Sequence, residues 1–314
     1  MAIVTGEWLT FSAIGMREDL EDKIFQISPT EVPFSSMADK VSADAVTHEW
    51  QTDALVAAAA NAQLEGDQFT FSAPAATTRL AATTQILSKT MSVSKTLDKV
   101  SKAGRNREFV YQSRQRGLEC KRDLEFAFFN NQTPVPQASA NSTTARALRP
   151  VNSWMSSNVT RGVGGAAGTA STAATDGALQ DLTEDMIKVA IRQAWTAGGQ
   201  PDTIMVGPFN KQRISTFGGN ATRWVNADER KLIAGIGFYE SDFGIHKIVP
   251  NRFSRDRDCW ILDMDYWAIA TLRELTTIDT AVVADAYNGW VGMEKTLVSR
   301  NQQASAAVVD LSSS

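Results

Sequence analysis

The stretch Lys102–Gln132, KAGRNREFVYQSRQRGLECKRDLEFAFFNNQ, constrains the fold more than any other part of the chain. Phe109, Ser113, Gly117, Cys120, Leu124 and Phe128 follow one another at steps of three or four, and Val110 and Leu118 widen the stripe. That period predicts one amphipathic helix. No proline interrupts it, and Pro134 and Pro136 stop the chain soon after its end. From Arg105 to Phe129 it would be about 38 Å long at 1.5 Å per residue. A helix of that length outruns a small core, so one face needs something extended to lie along. Its charges also oppose the helix dipole. Lys102, Arg105 and Arg107 crowd the N-terminal end, and Asp123 and Glu125 sit near the C-terminal end. Only Glu119 with Arg122 and Lys121 with Glu125 are placed to help locally. Two readings stay open: a solvated face screened by salt, or ends that meet opposite charges on another element or subunit.

The flanking segments lack cores of their own. Residues 1–43 read as an arm, with a short helix expected over Met16–Ile27 and an extended Ser28–Phe34 around Pro29 and Pro33. Phe34, Met37 and Val41 are its apolar contacts. Residues 44–96 read as a two-stranded excursion. AVTHEWQTDAL alternates as a strand does, and TRLAATTQILSKTMSVSKT is rich in Thr, Ile and Val. Between them lie Ala57–Ala60, which suits a helical turn equally well, and a turn signal at Glu65-Gly66-Asp67. The outgoing limb carries Glu49, Asp53, Glu65 and Asp67; the returning limb carries Arg79, Lys89 and Lys95. An isolated hairpin is marginal in water, so a partner is expected to complete it. The charge asymmetry suits docking on the long helix of the same or a neighbouring subunit.

Residues 133–181 are rich in Ser, Thr, Ala and Gly and read as loop, anchored at Leu148, Val151, Trp154 and Met155. A compact unit follows. Thr183 is placed to cap a helix that carries Glu184 and Asp185 in its first turn and ends at Gly198-Gly199. A buried strand is expected over Asp202–Gly207, a helical turn over Lys211–Phe217, and strands at Phe238-Tyr239, Ile245–Val249 and Cys259–Asp263. Arg252, Arg255 and Arg257 alternate with Asp256 and Asp258, as in a charged hairpin turn. Trp267–Leu311 suggests two or three long strands, with Ile269, Thr271, Ile278, Val282, Met293 and Val298 among their residues. Helices and strands in this mixture argue for an α+β fold.

Catalytic patterns fail on context. His48, His246, Cys120 and Cys259 are too far apart for the tight ligand pairs of zinc sites, so strand contacts and core filling are expected of them. Two cysteines in 314 residues make no disulfide framework. Gly162–Ala167 matches G-x-G-x-x-A, but no strand–helix frame surrounds it, so it reads as a flexible loop. Asp242-Phe243-Gly244 stands without the other kinase motifs. No cofactor and no metal site is expected. The net charge of −4 argues against a nucleic-acid reader that relies on bulk positive charge. The N-terminus has no signal-peptide pattern, and no apolar run of about 18 residues spans a membrane.

ISPTEVPFSSM, HEWQTDAL, LEGD, TRLAATTQILSKTMSVSKT, the long helix and DRDCWILDMDYWAIATLRELTTIDTA occur in an order that resembles the tailed-phage major head (capsid) proteins. The resemblance implies the Hong Kong phage-type capsid fold. Residues 1–43 then correspond to the N-terminal arm, 44–95 to the extended loop called the E-loop, and 96–148 to the peripheral domain with its spine helix at 104–130. Residues 149–270 correspond to the axial domain and 271–314 to the return strands of the peripheral domain. It implies a non-enzymatic virion protein that self-assembles as pentamers and hexamers into an icosahedral shell around double-stranded DNA, without sequence-specific binding. Scaffolding, portal and decoration proteins are the implied further partners. An encapsulin-like compartment shell is the alternative with the same fold, and a nucleotide-binding enzyme using the glycine-rich loop the alternative of another class. Glu49, Asp53, Glu65, Asp67, Arg79, Lys89, Arg105 and Arg107 are the expected inter-subunit contacts. No maturation cleavage near the N-terminus is expected, because an arm of about 40 residues leaves little room for a removable scaffold domain.

Overall fold

The computed structural model describes residues 24, 26–66, 68, 71, 73–136, 143–217, 237–281 and 284–313. The helix expected over Met16–Ile27, and also Asp67 and Val282, lie outside these residues or largely so. In chain order the elements are α1 (Pro33–Met37), β1 (Asp39–Ser42), β2 (Thr47–Thr52), β3 (Thr78–Thr83), β4 (Gln85–Ser94), α2 (Lys95–Lys99), α3 (Glu108–Phe129) and α4 (Val151–Trp154). They continue with β5 (Val159–Thr160), α5 (Glu184–Thr196), β6 (Thr203–Val206), α6 (Pro208–Ser215), β7 (Phe238–Ser241) and β8 (Gly244–Pro250). The last four are β9 (Cys259–Leu262), β10 (Trp267–Asp279), β11 (Ala286–Ser299) and β12 (Ala306–Val308).

The long helix α3 lies on a four-stranded sheet ordered β1-β10-β11-β4. β1 runs parallel to β10, and the other two pairings are antiparallel. Gly117, Cys120, Leu124 and Phe128 are buried, as the stripe requires, and the Cys120 thiol donates to the Val291 carbonyl on β11 at 3.7 Å. Val110 departs from expectation and is exposed, because it falls beyond the arc that the sheet covers. The arm contributes to this core through Phe34. Its ring is fully buried edge-on to Phe128, Phe129 and Trp267, with centroids 5.5, 5.1 and 6.3 Å away.

The second sheet is six-stranded, ordered β5-β12-β9-β6-β8-β7. All residues of β6 and β9 are buried, because both faces are covered. Ile204, Val206 and Ile261 meet Ile187, Ala190, Ile191 and Ala194 of α5, while Met205 and Trp260 join the Phe34 cluster. The capping expectation is met: the Thr183 hydroxyl accepts the Met186 N–H at 3.3 Å. Gly198, in the left-handed region at φ 91°, follows the helix.

Three expectations are corrected by topology. The returning limb of the excursion is two strands, not one. Thr84 is fully buried between them, its N–H bonded to the Val46 carbonyl and its hydroxyl to Glu294. On one side of it β3 pairs with β2, and on the other β4 pairs with β11. At the other end, β12 leaves the first sheet and inserts between β5 and β9 of the second, where it is wholly buried. The segment 251–258 is no hairpin turn, since β8 and β9 are separated by β6. It is a crossover whose arginines bind Asp176 and Asp310.

The glycine-rich stretch is also not the flexible loop its composition suggests. Ala166 and Thr175 exchange backbone hydrogen bonds, and the Gly162 N–H donates to Asp310 Oδ2 at 3.1 Å. A Cβ at Gly162 would lie 2.0 Å from the Ala178 carbonyl oxygen. Gly162→Ala is therefore expected to cost about 1–3 kcal/mol through overpacking, measured as a lowered denaturation midpoint. An unchanged midpoint would mean that the loop yields freely.

Candidate assembly surface

The hairpin β2–β3 is held at its root by stacked rings. His48 lies 5.8 Å from Trp50, Trp50 lies 5.6 Å from Trp154, and the Arg149 guanidinium sits 4.1 Å above Trp154. Burial pushes Arg149 down to about 10, and its Nη2 donates to the Ser153 carbonyl. Beyond Thr52 regular structure ceases until Thr78 among the described residues. Leu55, Val56, Leu64 and Phe71 there are 100, 92, 80 and 95% exposed, so no described residue covers them. Four large apolar side chains left in water within one segment mark an interaction surface.

The expected contact residues are placed as follows. Glu49 and Arg79 pair with each other across the hairpin at 3.3 Å and do not reach α3. Asp53 accepts the N–H of Ala54 at 2.9 Å, and Glu65 is exposed at the turn. Lys89 does dock on the long helix, through Asp123 at 2.8 Å, and that hydrogen bond raises the lysine pKa. Lys95 faces Asp285 at 3.5 Å.

The charges that oppose the dipole of α3 find partners within the chain. Arg105 binds Glu108, and Arg107 binds Asp98 at 3.2 Å. Asp98, on α2, also accepts the Phe109 N–H at 3.2 Å; that bond and Arg107 hold its carboxyl below the usual range. A carboxylate from α2 thus serves the N-terminal turn of α3, which has no side-chain cap of its own. Lys102 turns away from α3 and donates to the Val100 carbonyl at 3.0 Å just past the end of α2.

The opposite end of α3 is more consequential. Glu125 is fully buried and accepts the N–H groups of Phe34 and Ser35, each at 2.9 Å. It also accepts the Ser35 hydroxyl and, at 2.8 Å, the Asn251 amide. One carboxylate thereby fastens the arm, the long helix and the β8–β9 crossover. The expected local pair with Lys121 is absent because Glu125 is turned inward; Arg116 and Glu119 pair instead, at 2.7 Å. Neither Glu125 nor Asp98 was legible as a tether, because their partners lie far away in sequence. The exposed apolar residues were legible in principle, as large side chains in a segment without a core.

The four histidines and cysteines take structural places. His246 is buried on β8 between the Pro201 carbonyl and Ser241 Oγ, each 2.7 Å away, and burial lowers its pKa. Cys259 is buried on β9, its thiol pushed up to about 12. Among the described residues no group of His, Cys, Asp and Glu could hold a metal, and no helix is long and apolar enough to cross a membrane. Gly162–Ala167 follows the two-residue β5 and leads into loop, so the nucleotide-binding frame is not formed.

A long helix on a four-stranded sheet, an N-terminal segment tied to it through Glu125, an exposed hairpin and a second, six-stranded sheet define a Hong Kong phage-type capsid fold. The chain shares this fold with the capsid of a native GTA particle, at TM-score 0.65 and 11% identity over 96% of this chain and 98% of that one. A chain of Gordonia phage Cozz aligns at TM-score 0.62 and 10% identity over 99% of this chain and 98% of the other. The family model of the SU10 major capsid protein matches residues 3–312, and the chain belongs to that family. The major capsid protein of Escherichia phage Phieco32 is 26% identical over 338 aligned residues, covering 96% of both chains. The protein is thus a structural component of a tailed-phage virion shell.

Proposed function

We propose that copies of this chain associate as pentamers and hexamers of an icosahedral shell that encloses double-stranded DNA without reading its sequence. Residues 1–43 act as the arm, 44–95 as the E-loop, 96–148 with the 271–299 part of the return as the peripheral domain, and 149–270 as the axial domain, into whose sheet β12 inserts. The observation that carries the reading is the hairpin tip, whose apolar side chains are exposed while its root is clamped by Trp50 and Trp154. Each tip lies over the adjacent subunit, a heterologous contact that closes into rings. The hairpin charges set register more than affinity. A net charge of −4 suits a container that does not grip its contents. Scaffolding, portal and decoration proteins are the further partners of such a shell.

The test is electron microscopy and nucleic-acid analysis of particles from cells producing the protein with its packaging partners. Closed shells containing DNA are expected. Monodisperse monomers under all assembly conditions, or shells filled with an enzyme cargo and no DNA, would overturn the reading. Glu49→Lys or Arg79→Glu is expected to lower shell yield several-fold while leaving the unfolding midpoint of the unassembled protein unchanged, since this exposed pair contributes little to stability. Equal losses of stability and assembly would remove the pair from the interface.

A further inference from the structure

We propose that residues 54–65, exposed and without regular structure in the isolated chain, fold into a helix as they dock on a neighbouring copy. The inference rests on the reading of the hairpin as an inter-subunit contact and specifies how that contact forms. The segment reads ALVAAAANAQLE, built largely of strong helix formers. It is bounded as a helix is bounded. Asp53, a favoured N-cap residue, precedes it; its carboxylate accepts the Ala54 N–H at 2.9 Å and would shift to the Leu55 or Val56 N–H when the helix forms. Gly66 follows it in the left-handed region at φ 85°, the backbone state that ends helices. Wound as a helix, the segment would place Val56, Ala60 and Leu64 at i, i+4 and i+8 on one face, with Leu55, Ala58 and Glu65 on the other.

The isolated chain does not form this helix, for a physical reason. Twelve residues are marginal in water even with good propensity, because nucleation is costly. Val56 and Leu64 have no surface among the described residues to lie on, being 92 and 80% exposed. A tertiary partner is what most helices need, and the clamped root carries this segment away from its own core. The occupant is a second copy, because this chain belongs to a shell-building family and the segment continues the hairpin that reaches the neighbour.

The test compares assembly and hydrogen exchange for the full chain and three variants. Ala59→Pro breaks a helix but leaves an exposed segment without regular structure undisturbed. It is expected to reduce shell yield at least tenfold with no change in the unfolding midpoint of the unassembled protein. Leu64→Glu, which charges the apolar face, is expected to do the same. Ala58→Gln, helix-compatible and on the opposite face, is expected to assemble as the parent does. In shells of the parent, amides from Ala57 onward gain protection, while those of Ala54–Val56 have no acceptor in the helix backbone, because the first turn has no internal acceptors. Normal assembly of Ala59→Pro with impaired assembly of Leu64→Glu would overturn the helix and leave the hairpin contact standing. Normal assembly of both would overturn the contact itself.

Discussion

Replacing Asp258 by asparagine is expected to stabilise the folded protein above pH 7 and to change little near pH 4. Asp258 is buried at the end of the 251–258 crossover, 1% exposed. Arg255 Nε lies 3.6 Å from its Oδ2, but Arg255 gives two 2.7 Å bonds to Asp176 instead. Arg257 is shared between Asp176 and Asp310. Asp258 is left with a distant cation and two neighbouring carboxylates. Burial raises its pKa to about 7; Asp176 and Asp310 add to the rise, and Arg255 and Arg257 oppose it. Between the unfolded value of 3.8 and about 7 the native state therefore holds a proton that the unfolded state has released. Stability falls as pH rises through that window and is lowest above it. The full loss is on the order of 4 kcal/mol, at 1.36 kcal/mol per pKa unit. An asparagine has no proton to lose, so Asp258→Asn escapes the fall. Denaturation at pH 4.5, 6 and 8 checks this. Parallel pH profiles for the two proteins would mean that Asp258 is ionised and adequately paired in the fold.

Glu125→Ala is expected to show the largest stability loss among substitutions on the long helix, about 3–5 kcal/mol. The carboxylate takes four hydrogen bonds at a site with no solvent access. Its removal strands the buried N–H of Phe34 and the Asn251 amide, and a buried polar group without a partner costs its full desolvation. Glu125→Gln keeps the volume but turns an NH2 group toward N–H donors, so a loss of the same sign is expected. Because the arm is held by this carboxylate and by the Phe34 ring, its release should precede global unfolding. Limited proteolysis of Glu125→Ala should cut between residues 26 and 43 well before the rest of the chain. Global destabilisation without early cleavage of the arm would show that Glu125 supports the helix alone.

These two sites also show where reading the sequence stops. The period of the long helix, the Thr183 cap, the anchoring turn at Leu148–Met155 and the buried strand near Thr203–Val206 rest on spacing within one turn or one strand, and local chemistry was enough to find them. The contrary charges on α3 were recognised, but not their partners. Glu125 binds residues about 90 and 126 positions away, and Asp98 serves a helix that begins beyond an intervening loop. The candidate contacts were chosen by charge; of them, Lys89 is taken by its own helix and Glu49 by Arg79. The apolar residues of the tip carry the stronger physical signal, but exposure is a property of the folded chain, and a lone Leu or Phe in the sequence does not show whether it is covered.

The sequence by itself determined the elements, the coreless arm and excursion, and hence the need for neighbours. Each of these follows from periodicity and composition, which act over a few residues. Only the tertiary structure decided that β4 and β12 belong to different sheets from those expected, that glycines close the 162–177 loop against Asp310, and that Glu125 rather than a surface pair fastens the arm. Those outcomes depend on which buried donors and acceptors meet at long range. Burial makes such meetings obligatory, but nothing in the order of the residues says which ones will occur.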